Sequence, residues 1–200
     1  TINAGTSGAA SLTTMTALDD LAVTAGGGIT LNGNITTADI SGNSVTFSSA
    51  VSLGAGITID TDNTTNDGTI SFSSTINGAQ ALALDAGTST VTVSDAIGGS
   101  TALTSFTVTN ASQIDLANVA TSGAISLTGT NIDLNGTSYT SSTGAIGFTG
   151  AVDLDSTGTL TISSGGGAGD NITFSSTVND TSSNNTLALN AGALGTITAS

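Results

Sequence analysis

From Ile29 onward the chain repeats one three-residue unit: a large apolar residue, a small or polar residue, and a second large apolar residue. ITL at 29–31, VTF at 45–47, ITI at 57–59, ISF at 70–72, VTV at 91–93, FTV at 106–108, ISL at 125–127 and ITF at 172–174 are examples. Alternation with a period of two puts both apolar side chains on one side of an extended strand and the middle residue on the other. Between the units lie stretches such as DNTTNDG (62–68) and SSGGGAGD (163–170), rich in residues that favour turns. Only TMTALDDLAV at 14–23 approaches helical periodicity, and it is read as a candidate helical turn. The chain is therefore expected to be all-β, built from short strands with one apolar side.

Short one-sided strands fit a sandwich, a barrel or a solenoid, and internal repetition separates these. ISFSSTIN at 70–77 returns as ITFSSTVN at 172–179, and VTFSSAV at 45–51 returns as IGFTGAV at 146–152. LTTMT at 12–16 matches LTSFT at 103–107 with a different offset, so the intervening loops vary in length while the strands persist. Stacked repeats behave in this way, because insertions fall on the surface. The spacings from Phe72 to Val93 and from Ile125 to Ile146 fit coils of about 20 residues, five of them to a period of about 100. The first expectation is a right-handed parallel β-helix, one continuous segment over 1–200 made of about two such periods. The alternative is a tandem pair of immunoglobulin-like β-sandwiches, because one period is also one sandwich length.

Composition removes several functions. The 200 residues include no Lys, Arg, His, Cys, Pro, Glu or Trp, and the 14 acidic residues, all Asp, give a net charge of −14. Nothing in the chain can neutralise phosphates, which argues against nucleic-acid binding, and anionic membrane surfaces would repel it. No apolar run reaches the roughly 18–20 residues needed to insert across a bilayer as a helix. Without Cys there are no disulfides and no thiolate metal sites. Catalysis near neutral pH needs groups that move protons or stabilise charge, and only Asp, Tyr139, Ser and Thr remain for that work. The expectation is a protein that is not an enzyme.

The phrases GAISLTGTNIDLNG, TGTLTISSGGGAGDNITF and NTLALNAG resemble the repeat regions of large secreted bacterial surface proteins, of the filamentous-haemagglutinin type of β-helical adhesin. The resemblance covers nearly the whole chain and rests on composition and repeat style. It implies an extracellular, cell-surface location and a structural fibre, sheath or stalk that assembles with itself. An adhesin, or a carbohydrate- or ice-binding surface meeting cell-surface glycans, is the alternative.

Four side chains in one loop, Asp60, Asp62, Asn66 and Asp67, are candidate calcium ligands, since unpaired carboxylates and amides are hard oxygen donors. Ca²⁺ is accordingly the one cofactor considered. The loop departs from the EF-hand pattern, with Thr64 at a ligand position and no following Glu. GGAGDN at 166–171 is similar to a Gly-rich calcium repeat but carries Asn171 where Asp is required and does not recur. Asp60 with Asp62, and Asp153 with Asp155, are carboxylate pairs on one strand face; two carboxylates can serve a glycosidase, and solvated surface Asp is the preferred reading. TVT at 90–92 and TLT at 159–161 raise ice binding, although Thr is also the ordinary outward residue of a strand. Seven Asn-x-Ser/Thr sequons, among them Asn34, Asn110 and Asn171, are glycosylation candidates.

Ile70, Phe72, Leu82, Ile125, Phe148, Phe174 and Leu187 are expected to point inward. The matched segments give both ends nearly the same phase, and no cap is legible at either. An internal part of a longer fibre, or a subunit that stacks end to end, is expected, with roughly ten coils rising about 4.8 Å each.

Overall fold

The computed structural model describes residues 1–181 and 185–200. Its strands follow one another in a fixed cycle around three faces. The first rung is laid down by β1 (Ile2–Asn3), β2 (Ala10–Leu12) and β3 (Met15–Leu18), and the second by β4 (Leu21–Thr24), β5 (Ile29–Leu31) and β6 (Ile35–Thr37). The third has β7 (Val45–Phe47), β8 (Val51–Leu53) and β9 (Ile57–Asp60), and the fourth β10 (Ile70–Phe72), β11 (Ile76–Asn77) and β12 (Ala81–Asp85). The fifth consists of β13 (Thr90–Val93), a lone bridge at Ile97 and β14 (Ser105–Asn110). The sixth has β15 (Gln113–Leu116), β16 (Val119–Thr121) and the first half of β17 (Ile125–Leu134). The second half of β17, β18 (Ser138–Ser141) and the first half of β19 (Ile146–Leu154) make the seventh. The rest of β19, β20 (Thr159–Ser163) and β21 (Ile172–Phe174) make the eighth, and β22 (Val178–Asn179), β23 (Thr186–Asn190) and β24 (Ile197–Ala199) the last.

Each strand pairs in parallel with the strand one rung away on its own face, as Ile70 pairs with Val45 on one side and Val91 on the other. This is a β-solenoid of about eight turns averaging about 23 residues. Immunoglobulin-like sandwiches pair their strands antiparallel, so the sandwich alternative is ruled out. The pairs Phe72–Val93 and Ile125–Ile146, picked out by spacing, stand in register. Turns run from 18 residues (Ile114 to Ile132) to 27 (Ile162 to Leu189), so the anticipated coil of about 20 is too short. The extra residues sit in corner loops, and the stack rises about 38 Å rather than about 48 Å at about 4.8 Å per turn.

The apolar positions of each unit point inward and form columns up the axis. On the third face one column reads Ile57, Leu82, Phe106, Ile125, Ile146, Ile172. All of these are at most 3 % exposed. Of the seven residues expected inside, six are buried and Leu187, on the last rung, is half-buried against the core. Two pairs of rings stack within the core: Phe47 on Phe72 and Phe148 on Phe174, each with centroids 4.9 Å apart.

The near-identical segments do not stand above one another. ISFSSTIN runs from β10 on the first face to β11 on the second, whereas ITFSSTVN runs from β21 on the third face to β22 on the first. The offset spans four turns and two further faces, close to the anticipated five coils but not a whole number of them. What recurs is a two-rung corner: VTFSSAV stacks on ISFSSTI, and IGFTGAV stacks on ITFSSTV. Both corners turn the same apolar alternation toward the core, so one unit serves at two of the three.

Two features of the path were not legible as written. Residues 14–23 form β3 and β4 and no helix; the register shifts between Met15 and Leu18, where Ala17 has a φ of 54°. This bulge places two residues against one, which mimics a helical spacing of apolar side chains in sequence. β17 and β19 pass through the corner between the third and first faces without a break. Gly150 has a φ of 130° there, and a Cβ on it would strike the Gly129 carbonyl oxygen of the rung below.

Candidate functional site

The sequence-predicted calcium loop lies at the corner between the third and first faces. Asp60 ends β9 and stands in register with Asp85 on β12. Asp60 Oδ1 accepts the Asp62 N–H at 3.0 Å, and Asp85 Oδ1 accepts the Gly87 N–H at 3.2 Å. Asp67 accepts the Asn63 N–H (2.9 Å) with one oxygen and the Thr88 N–H and Oγ1–H (both 2.7 Å) with the other. Asp62 and Asp67 converge over Gly87, where a Cβ would meet both carboxylates. Asn66 turns away, and its backbone N–H (2.8 Å) and Nδ2 (3.1 Å) both donate to Asp39 Oδ1. The structure thus gathers Asp60, Asp62 and Asp67, adds Asp85 from the next rung, and leaves Asn66 outside. Among the described residues no group of three or more carboxylates is arranged to hold a metal ion.

Electrostatics at this corner follow from its contacts. Donated backbone hydrogen bonds, from Asn63 first and Thr88 second, hold the Asp67 carboxyl below its usual value. Asp62 is pushed up by desolvation and then by the negative charges of Asp85, Asp67 and Asp60. Beneath the loop, buried Asn43 donates to the Ala38 (2.9 Å) and Asn66 (2.8 Å) carbonyls. That amide ties the two longest excursions of this corner to the stack.

Corner amides do comparable work elsewhere. Asn34 Oδ1 accepts the Thr58 N–H at 2.9 Å, and Asn171 Oδ1 accepts the Thr196 N–H at 2.9 Å. Asn77 takes the N–H groups of Ser100 and Thr101 (2.9 and 3.1 Å), and Asn118 those of Thr137 and Ser138 (2.8 and 3.0 Å). In each case a side chain on one rung satisfies backbone donors on the next. Asn77 and Asn118 belong to no sequon in the sequence, and the reach of all four across rungs is not legible there. Two of them, Asn34 and Asn171, belong to sequons.

The outward positions form columns too. Thr92 lies between Ser71 and Asp115 on the first face, and Thr161 between Ser138 and Ala188 on the second. The two Thr-x-Thr units therefore sit on different faces, and neither continues as a long rank of Thr. All five Phe and Tyr139 are buried, so no aromatic ring is presented outward. The Tyr139 hydroxyl donates to the Leu116 carbonyl (2.8 Å) and accepts the Gly136 N–H (3.0 Å), and burial raises its pKa. Two open grooves of about 280 and 250 Å³ run along the corner between the first and second faces, both lined by Ala117 and Asn135.

The first face carries an arrangement the strand-wise pairing of Asp153 with Asp155 did not anticipate. Asp115, Asp133 and Asp153 occupy one outward column on three successive rungs. Gln113 and Asn131 occupy the neighbouring column, and their amides donate into the acidic one. Asp155, on the loop edge, accepts Thr181 Oγ1–H at 2.7 Å. Asp170 in the Gly-rich turn folds back to accept the Gly167 N–H at 2.8 Å.

No protein-family model matches the chain, and no curated protein or solved structure matches it.

Proposed function

We propose that this chain is a segment of an extracellular structural fibre, sheath or stalk at a bacterial cell surface, built by rungs that stack on rungs, and that it has no catalytic role. The observation that carries the reading is the regularity of the stack: one corner unit serves at two different corners, and each rung is laid on the last by the same parallel pairing, a pattern with no built-in length. Ile197, 48 % exposed on the last rung, continues the column in which Ile172 is buried one rung below. A further rung, from continuing chain or a second molecule, would bury it in the same way. The outward surface favours structure over recognition, because sugar binding draws on aromatic platforms and every ring here is inside. The cell-surface location rests on the resemblance in repeat style to β-helical adhesins.

Sedimentation velocity and negative-stain imaging of the 200-residue chain at rising salt, with and without Ca²⁺, test this. The expected result is rods that lengthen by end-to-end contact and bundle sideways as cations screen 14 uncompensated carboxylates. Compact particles of one length at every concentration and ionic strength would overturn it.

A further inference from the structure

Parallel, in-register stacking forces like residues into contact about 4.8 Å apart, and on the first face it does so with three carboxylates. Asp115 on β15 pairs with Asp133 on β17, and Asp133 pairs with Asp153 on β19. The amide neighbours are already committed. Gln113 Nε2 donates to Asp115 Oδ1 (2.8 Å) and Asp133 Oδ2 (2.6 Å), and Asn131 Nδ2 donates to Asp133 Oδ1 (2.8 Å) and Gln113 Oε1 (3.1 Å). On the third rung the amide column ends, because Ala151 stands where Asn131 stands below it. Asp153 Oδ1 is consequently buried with no hydrogen-bond donor among the described residues. Asp115 and Asp133 stand in register on adjacent rungs and share the single Gln113 Nε2 donor, which sets two carboxyl groups side by side where the ionised form of one disfavours that of the other.

We propose that Asp115, Asp133 and Asp153 form a proton-binding ladder that makes the solenoid more stable in mildly acidic medium than at neutral pH. The groups facing Asp133 are Asp115 from β15, Asp153 from β19 and Asp155 just past the end of β19; the chain holds no Lys, Arg or His to offset them. Burial first, and then the Asp115 charge, hold the Asp133 carboxyl up at about 6, against 3.8 ordinarily. The folded state therefore binds more protons than the unfolded state between those two values. Stability rises as pH falls through that window and is lost as pH climbs back through it, with no further change from this group above about 6. The column partners belong to the ladder as a unit, so its titration is that of the set and not of one residue.

The test is equilibrium unfolding of the full chain from about pH 7.5 to about pH 4.5, for the wild type, Asp133→Asn and Asp19→Asn. Asp19 is exposed on the loop between β3 and β4, and its removal lowers net charge equally without touching the ladder. With the partial exposure of the ladder discounted, the wild-type unfolding constant should be at least about tenfold larger at the upper pH. Asp133→Asn should flatten that dependence and be the more stable protein at neutral pH, while Asp19→Asn keeps the wild-type slope. An Asp133→Asn profile as steep as wild type would overturn the proposal. Should that variant fail to fold, the side-chain carboxyl ¹³C titration of the wild type decides. A ladder carboxyl with a midpoint near 6 supports the ladder, and all three titrating below about 4.5 refutes it.

Discussion

At the scale of single residues, inward and outward positions differ sharply in what a substitution should cost. Phe72 is fully buried and stacked on Phe47, while its neighbour Ser71 faces outward between Thr46 and Thr92. Phe72→Ala should lower stability by about 3–5 kcal/mol, and Ser71→Ala by less than about 0.5 kcal/mol, in denaturant unfolding. Equal midpoints for the two would refute the inward assignment. Tyr139→Phe should cost about 1–2 kcal/mol, because the Leu116 carbonyl and Gly136 N–H lose their shared partner in the core. The inward residues were legible in the sequence because a period of two marks them without reference to any neighbour. The outward acidic ladder was not. Asp60 with Asp62 and Asp153 with Asp155 are visible along the chain, but Asp60 beside Asp85 and Asp133 beside Asp153 depend on how long each turn is. Turn length varies from 18 to 27 residues, so cross-rung neighbours become readable only once every corner loop has been placed.

At the scale of strands and corners, glycine separates conformational need from mere smallness. Gly150 carries the uninterrupted β19 around a corner with a φ of 130° and no room for a Cβ, whereas Gly147, in the same strand, has open space where its Cβ would be. Gly150→Ala should destabilise by more than about 1 kcal/mol, and Gly147→Ala should be neutral or stabilise by about 0.4–1 kcal/mol. The reverse order in thermal unfolding would mean that β19 does not turn the corner there. Asn118→Ala should cost about 1–2 kcal/mol, since two backbone donors of the following rung lose their acceptor. The sequence marked these corners through their Gly, Asn, Asp and Ser content. It did not show which asparagines serve their own turn and which hold the next one, because that depends on stacking.

At the scale of the whole molecule, the repeated segment explains itself once the faces are counted. A period of four turns and two faces would be useless to a fold in which each side has its own role. It is harmless in one where the same unit turns two different corners. Strand alternation and the matched segments made the solenoid legible from sequence; the period's relation to the turn was not, because five coils of 20 residues and four and two-thirds turns of variable length give nearly the same offset. The chain's uniform negative charge opposes side-by-side contact between solenoids. X-ray diffraction from an aligned concentrate tests this account most directly. Strands lying across a long axis of stacked rungs predict a sharp reflection near about 4.8 Å along the axis of alignment. The same spacing found only as an unoriented ring, or at right angles to that axis, would contradict stacking as the principle of the molecule.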